Sequence, residues 1–233
     1  MSVTSAVSAL AVRIAQEIKA VRTEMAGMGG SATGFPDDPP TSPDVMDDEF
    51  TGTVLAAKWT IINGCVPVVR GSRLEVPAEP VTGWNLRGIG QAIPTSGDFT
   101  FTARFAGGDS ASASFNLPML MGLAEGTAAQ RFALVALPND SGPSCLTLNS
   151  VTSFASSFGT TIPYNGRHGM FSYFRVSRAG SSYNFDTSRT GRRFYRVGSL
   201  TLPYTPTRVV LAANSENTTY GVTGVWDYFR RTA

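Results

Sequence analysis

Three short stretches place an aromatic ring two residues from an arginine: Tyr173 and Arg175; Arg193 and Tyr195; and Trp226, Tyr228 and Arg230. In an extended chain residues two apart lie on one side. Each stretch therefore offers a flat ring next to a planar cation. The ring can cover the apolar face of a sugar, and the guanidinium donates in a fork to hydroxyls or carboxylates. The same pattern arises when the ring is core and the arginine sits at its rim, so orientation decides the meaning. In the last stretch Val225, Asp227 and Phe229 alternate with Trp226, Tyr228 and Arg230. Val225 and Phe229 read as the core set, with Asp227 satisfied by backbone N–H groups or by an arginine such as Arg175. That assignment turns Trp226, Tyr228 and Arg230 outward. The expected binding set for a glycan or a partner protein is Trp226, Tyr228, Arg230, Tyr173, Arg175 and Tyr195.

Residue types for catalysis are sparse. His168 is the single histidine, in Asn165-Gly166-Arg167-His168-Gly169, a loop-like stretch where a Ser-His-Asp site is not expected. Glu75 and Glu79 are separated by Val-Pro-Ala, and Pro77 argues against a ladder strand there, so both read as loop residues. With one histidine and two distant cysteines, one chain cannot build a His/Cys zinc cluster. No EF-hand, phosphate-loop or dinucleotide glycine pattern occurs. The reading is of no catalytic residues, no metal and no cofactor. Cys65 and Cys145 leave two alternatives open, a disulfide or two buried thiols.

The elements that must position these groups fall into three parts. Residues 1–28 carry a heptad seam, with Val7, Ile14, Val21 and Met28 at d and Thr4, Ala11, Ile18 and Met25 at a. Glu17 at g and Arg22 at the following e can pair between parallel chains. β-branched residues at both a and d favour more than two strands, so the seam predicts a homotrimer, with Val7, Ala11, Ile14, Ile18, Val21, Met25, Glu17 and Arg22 as its contacts. The alternative is an amphipathic helix docked on its own domain. Residues 29–46 are rich in Gly and Pro and read as a linker. From residue 47 to 233, period-two runs dominate, such as Phe99, Phe101, Ala103 and Phe105, or Phe132, Leu134 and Ala136. Turn chemistry bounds them at Gly107-Gly108-Asp109, Glu125-Gly126-Thr127, Asn139-Asp140-Ser141-Gly142 and Ala179-Gly180-Ser181. About a dozen short strands at this spacing predict an all-β antiparallel sandwich of jelly-roll type.

Charge follows the same division. Residues 1–50 hold three basic and eight acidic side chains, and residues 51–233 hold sixteen basic and nine acidic ones, nearly all of the basic ones Arg. The local cluster Arg189, Arg192, Arg193 and Arg196 reads as a solvated face or a contact with an acidic subunit, not a nucleic-acid site. No apolar run is long enough to span a bilayer, and the start lacks signal-peptide character, so the chain is expected to be made in a cytoplasm and carried out within something larger.

The sandwich opens with Asp47-Asp48-Glu49-Phe50-Thr51-Gly52, Leu55 and Lys58-Trp59-Thr60, and closes with Gly221-Val222-Thr223-Gly224-Val225-Trp226-Asp227-Tyr228-Phe229-Arg230. Between them lies Tyr173-Phe174-Arg175-Val176-Ser177-Arg178-Ala179-Gly180, then Tyr183-Asn184-Phe185. This order resembles the concanavalin A-like lectin/glucanase superfamily, which implies that the opening and closing segments lie side by side. The Glu-x-Asp-x-x-Glu strand of its glucanases is absent, which removes the acid pair that glycoside hydrolysis needs. Nor does the acidic cluster that holds metals in legume-type lectins map onto this chain. Residues 6–19 are similar to N-terminal helices of tail-associated proteins of actinobacterial phages. That resemblance implies a virion protein, a minor tail or fibre component that attaches to a host surface polysaccharide. Alternatives are a capsid head-fibre or decoration protein, a glycan-degrading enzyme and a bacterial carbohydrate-binding module.

Overall fold

A computed structural model describes residues 43–94, 96–109, 117–126, 131–136, 144–150, 153–158, 172–216 and 219–232. The heptad segment and most of the linker, His168 and the Asn139–Gly142 turn lie outside the described residues. Fourteen strands are described: Thr60–Ile62 (β1), Val68–Arg70 (β2), Arg73–Ala78 (β3), Asn85–Ala92 (β4), Phe99–Asp109 (β5), Leu117–Ala124 (β6), Phe132–Ala136 (β7), Ser144–Ser150 (β8), Ser153–Phe158 (β9), Tyr173–Ala179 (β10), Ser182–Ser188 (β11), Tyr195–Leu200 (β12), Arg208–Ser215 (β13) and Val222–Thr232 (β14). They form two antiparallel seven-stranded sheets. Sheet I has the order β1-β4-β13-β6-β7-β8-β9, and sheet II the order β12-β11-β10-β5-β14-β3-β2. Among the described residues there is no helix, as the period-two runs predict.

The main core fills the space between the sheets. Phe99, Phe101 and Ala103 of β5 point inward as their alternation predicts, and they meet Phe174, Phe185 and Phe229 from sheet II and Met121, Val135 and Leu211 from sheet I. Phe101 stacks on Phe229 with ring centroids 5.4 Å apart. Cys65 and Cys145 lie in this core as free thiols, which settles the alternative left open. Burial pushes both thiols up to about 12.

Sheet I has a second apolar layer on its other face. Ile62, Leu86, Leu120, Phe132, Leu134, Val210 and Ala212 are all fully buried there. In β7, Ala133 and Val135 face the inter-sheet core while Phe132 and Leu134 face the other way. Strands buried on both sides read as continuous apolar runs, as in Val209-Val210-Leu211-Ala212-Ala213.

Two local expectations are corrected. Gly107-Gly108-Asp109 is no turn: β5 runs through it, with Gly107 and Gly108 opposite Val225 and Gly224 of β14. Gly107 has φ of 149° at a register shift, so these glycines permit a bulge. Glu75 is not a loop residue either, since β3 spans Arg73–Ala78 and Pro77 pairs with Thr223. The Pro77 carbonyl accepts from Cys65 Sγ at 3.7 Å, on the side away from β14. Its missing N–H would point to that same side, and β2 pairs only with Arg73–Glu75, so the proline costs no ladder bond.

The opening and closing segments lie together as the resemblance implies. Asp48 forms an isolated antiparallel bridge with Phe229. The last linker residues already pack on the sandwich, with Met46 in the core and Asp44 paired to Arg231.

Candidate functional site

The outer face of sheet II is built from polar rows that run across the strands. One row is fixed by register: Arg196 opposite Asp186, Asp186 opposite Arg175, Arg175 opposite Thr102, and Thr102 opposite Arg230. Arg230 continues it into the opening segment with two bonds to Glu49, 2.7 and 2.9 Å long. A parallel row reads Ser188, Tyr173, Arg104 and Tyr228. A third reads Ser199, Asn184, Ser177, Thr100 and Thr232. The alternation that sends Phe99, Phe101 and Ala103 inward sends Thr100, Thr102 and Arg104 outward, so one hydrophobic pattern places the whole face.

Asp186 anchors the first row. It is 2% exposed and accepts from Arg175 Nε at 3.1 Å and from Arg196 Nε on its other oxygen. A buried carboxylate held by two guanidinium groups is satisfied, and the arginine heads, about one-third to one-half exposed, form the surface that solvent meets. Arg175 also stacks over Phe194 at 4.1 Å. At the other end, Asp227 accepts from Arg104 at 2.8 Å and lies 3.8 Å from Arg73. Arg104 and Arg230 cover the rings of Tyr173 and Tyr228 at 5.7 and 3.8 Å. Burial opposes the charge of Arg230, but the Glu49 carboxylate outweighs it and holds the pKa above its ordinary value. Five arginines, Arg73, Arg104, Arg175, Arg196 and Arg230, thus face three carboxylates, Glu49, Asp186 and Asp227, and the face is net positive.

Four of the six expected binding residues meet here: Tyr173, Arg175, Tyr228 and Arg230. The other two do not. Trp226 is 0% exposed and packs edge-on against Phe105 and Phe174 at 5.4 and 5.8 Å. The expected outward orientation of Trp226 is therefore corrected. Register shifts on either side of it break the alternation, so Trp226 and Phe229, three residues apart, both point inward while Asp227, Tyr228 and Arg230 point outward. Val225 is consequently not core, and Asp227 is met by Arg104, not Arg175. Tyr228, though on the outer side, is only 3% exposed beneath Arg230. Tyr195 alternates with Arg196 and lies on the opposite side of the edge strand β12, under Arg193 at 5.4 Å.

Sequence reasoning missed Arg104 and Asp186, and read Arg196 only as part of the basic cluster with Arg189, Arg192 and Arg193. Each occurs alone in its strand, and only cross-strand register assembles them. The carboxylates of this face are engaged by arginine. Among the described residues no group of three His, Cys, Asp or Glu side chains is placed to hold a metal ion.

No protein-family model matches the chain, and no curated protein sequence does. Solved structures do. Xylan β-1,4-xylosidase from Bacillus halodurans matches at 14% identity with a TM-score of 0.53, over 85% of this chain and 41% of its own. The chain thus spans about two fifths of that enzyme's length. A β-glucanase from Bacillus licheniformis matches at 10% identity and TM-score 0.50, over 83% of this chain and 100% of its own. Lotus tetragonolobus seed lectin matches at 10% identity and TM-score 0.50, over 77% and 94%. At these identities the likeness concerns the fold alone: the described residues form a two-sheet antiparallel β-sandwich of the type these lectin and glucanase structures share.

Proposed function

We propose that this chain is a non-catalytic adhesion protein of a virion, whose sandwich grips a surface polysaccharide through the outer face of sheet II. The observation that carries the binding role is the group of partly exposed arginines Arg196, Arg175 and Arg104 on this face, backed by the buried Asp186, Tyr173, Tyr228 and Arg230. Its donors are planar, held in place by carboxylates beneath them, and bordered by a row of Ser, Thr and Asn side chains. Such a face fits an extended chain of hydroxyls and carboxylates better than a small apolar ligand.

Support for the non-catalytic role comes from the acids. Glycoside hydrolysis needs two carboxylates across an open cleft, roughly 5–9.5 Å apart, one of them able to give up a proton. Glu49, Asp186 and Asp227 instead serve as arginine anchors. The virion setting rests on the similarity of residues 6–19 to phage tail helices and on the heptad seam of residues 1–28, expected to trimerise the protein and join it to other virion proteins.

The test is retention on insoluble host cell-wall polysaccharide. The wild type binds and releases with salt, and a double variant, Arg104→Gln with Arg175→Gln, is not retained although it melts normally. Equal retention of the double variant sinks the reading. Release of reducing ends by the wild type, abolished by changing one acidic residue, would make the protein an enzyme instead.

A further inference from the structure

Charge is spread unevenly over sheet II. Strands β10, β11 and β12 with their connecting turns, residues 172–202, hold six arginines and one acid, Asp186. On the other strands the arginines meet carboxylates nearly one for one: Arg70 with Glu75, Arg104 with Asp227, and Arg230 with Glu49. The excess of positive charge therefore gathers at the β10–β12 end of the sheet. Arg189, Arg192 and Arg193 add to it from the loop between β11 and β12. A local field of one sign draws in ions of the other.

Arg175 is the cation best placed to use that field. Its Nε donates to the buried Asp186 at 3.1 Å, and its guanidinium lies 4.1 Å from the centroid of the half-buried Phe194 ring. Carboxylate and ring together fix the plane of the head. Its two terminal nitrogens meet no acceptor among the described residues, and the side chain is 32% exposed. A fixed guanidinium with that edge open suits a pair of anionic oxygens, which it can hold through two parallel N–H bonds. Arg196 is spent differently: Nε serves Asp186, and Nη1 serves Asn184 Oδ1 at 2.6 Å.

The aromatic rings of this face give a neutral sugar little to stack on. Tyr173 and Tyr228 are 5% and 3% exposed beneath Arg104 and Arg230, and Phe194 lies under Arg175. Tyr195 is exposed, but on the other side of β12. Guanidinium groups, not rings, are what a ligand meets here.

We propose that the β10–β12 end of sheet II selects an anionic polymer over a neutral one, with the carboxylate or phosphate oxygens of the polymer received by the terminal nitrogens of Arg175. This rests on the reading of sheet II as the polysaccharide-binding face and adds the class of polysaccharide: one that carries uronate carboxylates or phosphodiesters.

The experiment is a calorimetric titration of the full-length protein with polygalacturonate, poly(glycerol phosphate), neutral dextran and a short DNA duplex. At least one of the first two is expected to bind, more weakly as salt is added, and dextran is not. Which of the two binds separates carboxylate from phosphate. Arg175→Gln is expected to weaken binding about tenfold or more, the loss of a charged hydrogen-bond donor. Phe194→Ala is expected to weaken it less, by freeing the guanidinium plane. Arg178→Gln removes the same charge from the opposite side of β10 and is expected to change little. Equal losses in Arg175→Gln and Arg178→Gln overturn the proposal, since net charge alone would then explain binding. Dextran that binds as tightly as the polyanions overturns it too, and so does tighter binding to the DNA duplex. If neither polyanion binds but the protein is still retained on host cell-wall polysaccharide, the selection fails and the adhesion reading stands. If retention is absent as well, both fail.

Discussion

Asp48 and Phe229 exchange two backbone hydrogen bonds, each 2.8 Å long, and so tie the first described segment to the last strand. The Asp48 carboxylate strengthens the tie. It accepts from the Trp59 indole at 2.7 Å and from the Phe50 N–H at 2.9 Å, while the Trp59 ring packs edge-on against Phe229 at 5.1 Å.

Asp48→Ala is therefore expected to cost about 2–3 kcal/mol, since it leaves the indole N–H of the buried Trp59 and a backbone N–H without their charged acceptor. Urea unfolding measures it, and an unchanged midpoint would show that the joint adds nothing.

Trp226→Ala is expected to destabilise by about 3–5 kcal/mol, the usual cost of emptying an aromatic site in a core, with polysaccharide retention unchanged in whatever fraction stays folded. Gly224→Ala is expected to be comparably damaging, because a Cβ there collides with the Pro118 carbonyl oxygen of sheet I. A normal melt for either variant would contradict the packing of β14 against β6.

Asp186 and Arg175 are expected to differ in their effect on stability. Asp186→Ala removes the buried acceptor of two arginines and is expected to cost about 2 kcal/mol. Arg175→Ala leaves Asp186 with Arg196, and at this exposure is expected to cost under about 1 kcal/mol. Thermal melts of the two variants decide it; equal losses would mean that Asp186 does not organise the row.

The thiols predict a pH effect. Cys65 and Cys145 are raised to about 12 in the fold, against roughly 8.5 in an unfolded chain. A raised acid favours the folded state while it stays protonated. That stability is complete below roughly pH 8.5 and is lost as pH rises from there towards 12. At pH 8 neither thiol should react with iodoacetamide until denaturant is added; rapid labelling of the native protein would place them at the surface.

The heptad of residues 1–28 predicts a trimer that becomes monomeric when residues 1–29 are removed. Ile14→Asp with Ile18→Asp should act in the same way, because unpaired charge in the seam is costly. Light scattering gives the mass, and the same mass after truncation would leave the seam without a role.

The sandwich was legible in the sequence because its strands alternate. Phe99, Phe101 and Ala103 need no partner to announce an inward face, and the D-x-F and W opening paired with the closing strand as the family resemblance implies. Two kinds of physics hid the rest. Trp226 was misplaced because a bulge resets the alternation at Asp227, and nothing in Val-Trp-Asp-Tyr-Phe marks where the extra residue falls. The second buried face of sheet I was hidden because Phe132 and Leu134 look like an ordinary inner face until Ala133 and Val135 prove to be buried too. The site itself was half visible. Tyr173 with Arg175 and Tyr228 with Arg230 are local pairs, whereas Asp186 finds Arg196 and Arg175 only across strands.

β14 is an interior strand of sheet II, held between β5 and β3. Until Val222–Thr232 have left the ribosome, sheet II exists only as two separated pieces, and both flanking edges are open to foreign strands. The other strands cannot complete the core in order of synthesis, because Trp226 and Phe229 fill its centre. A sheet whose central strand comes last in the order of synthesis forms slowly for its size, because its contacts are non-local. It would depend on chaperones or low concentration to keep those edges apart in the interval.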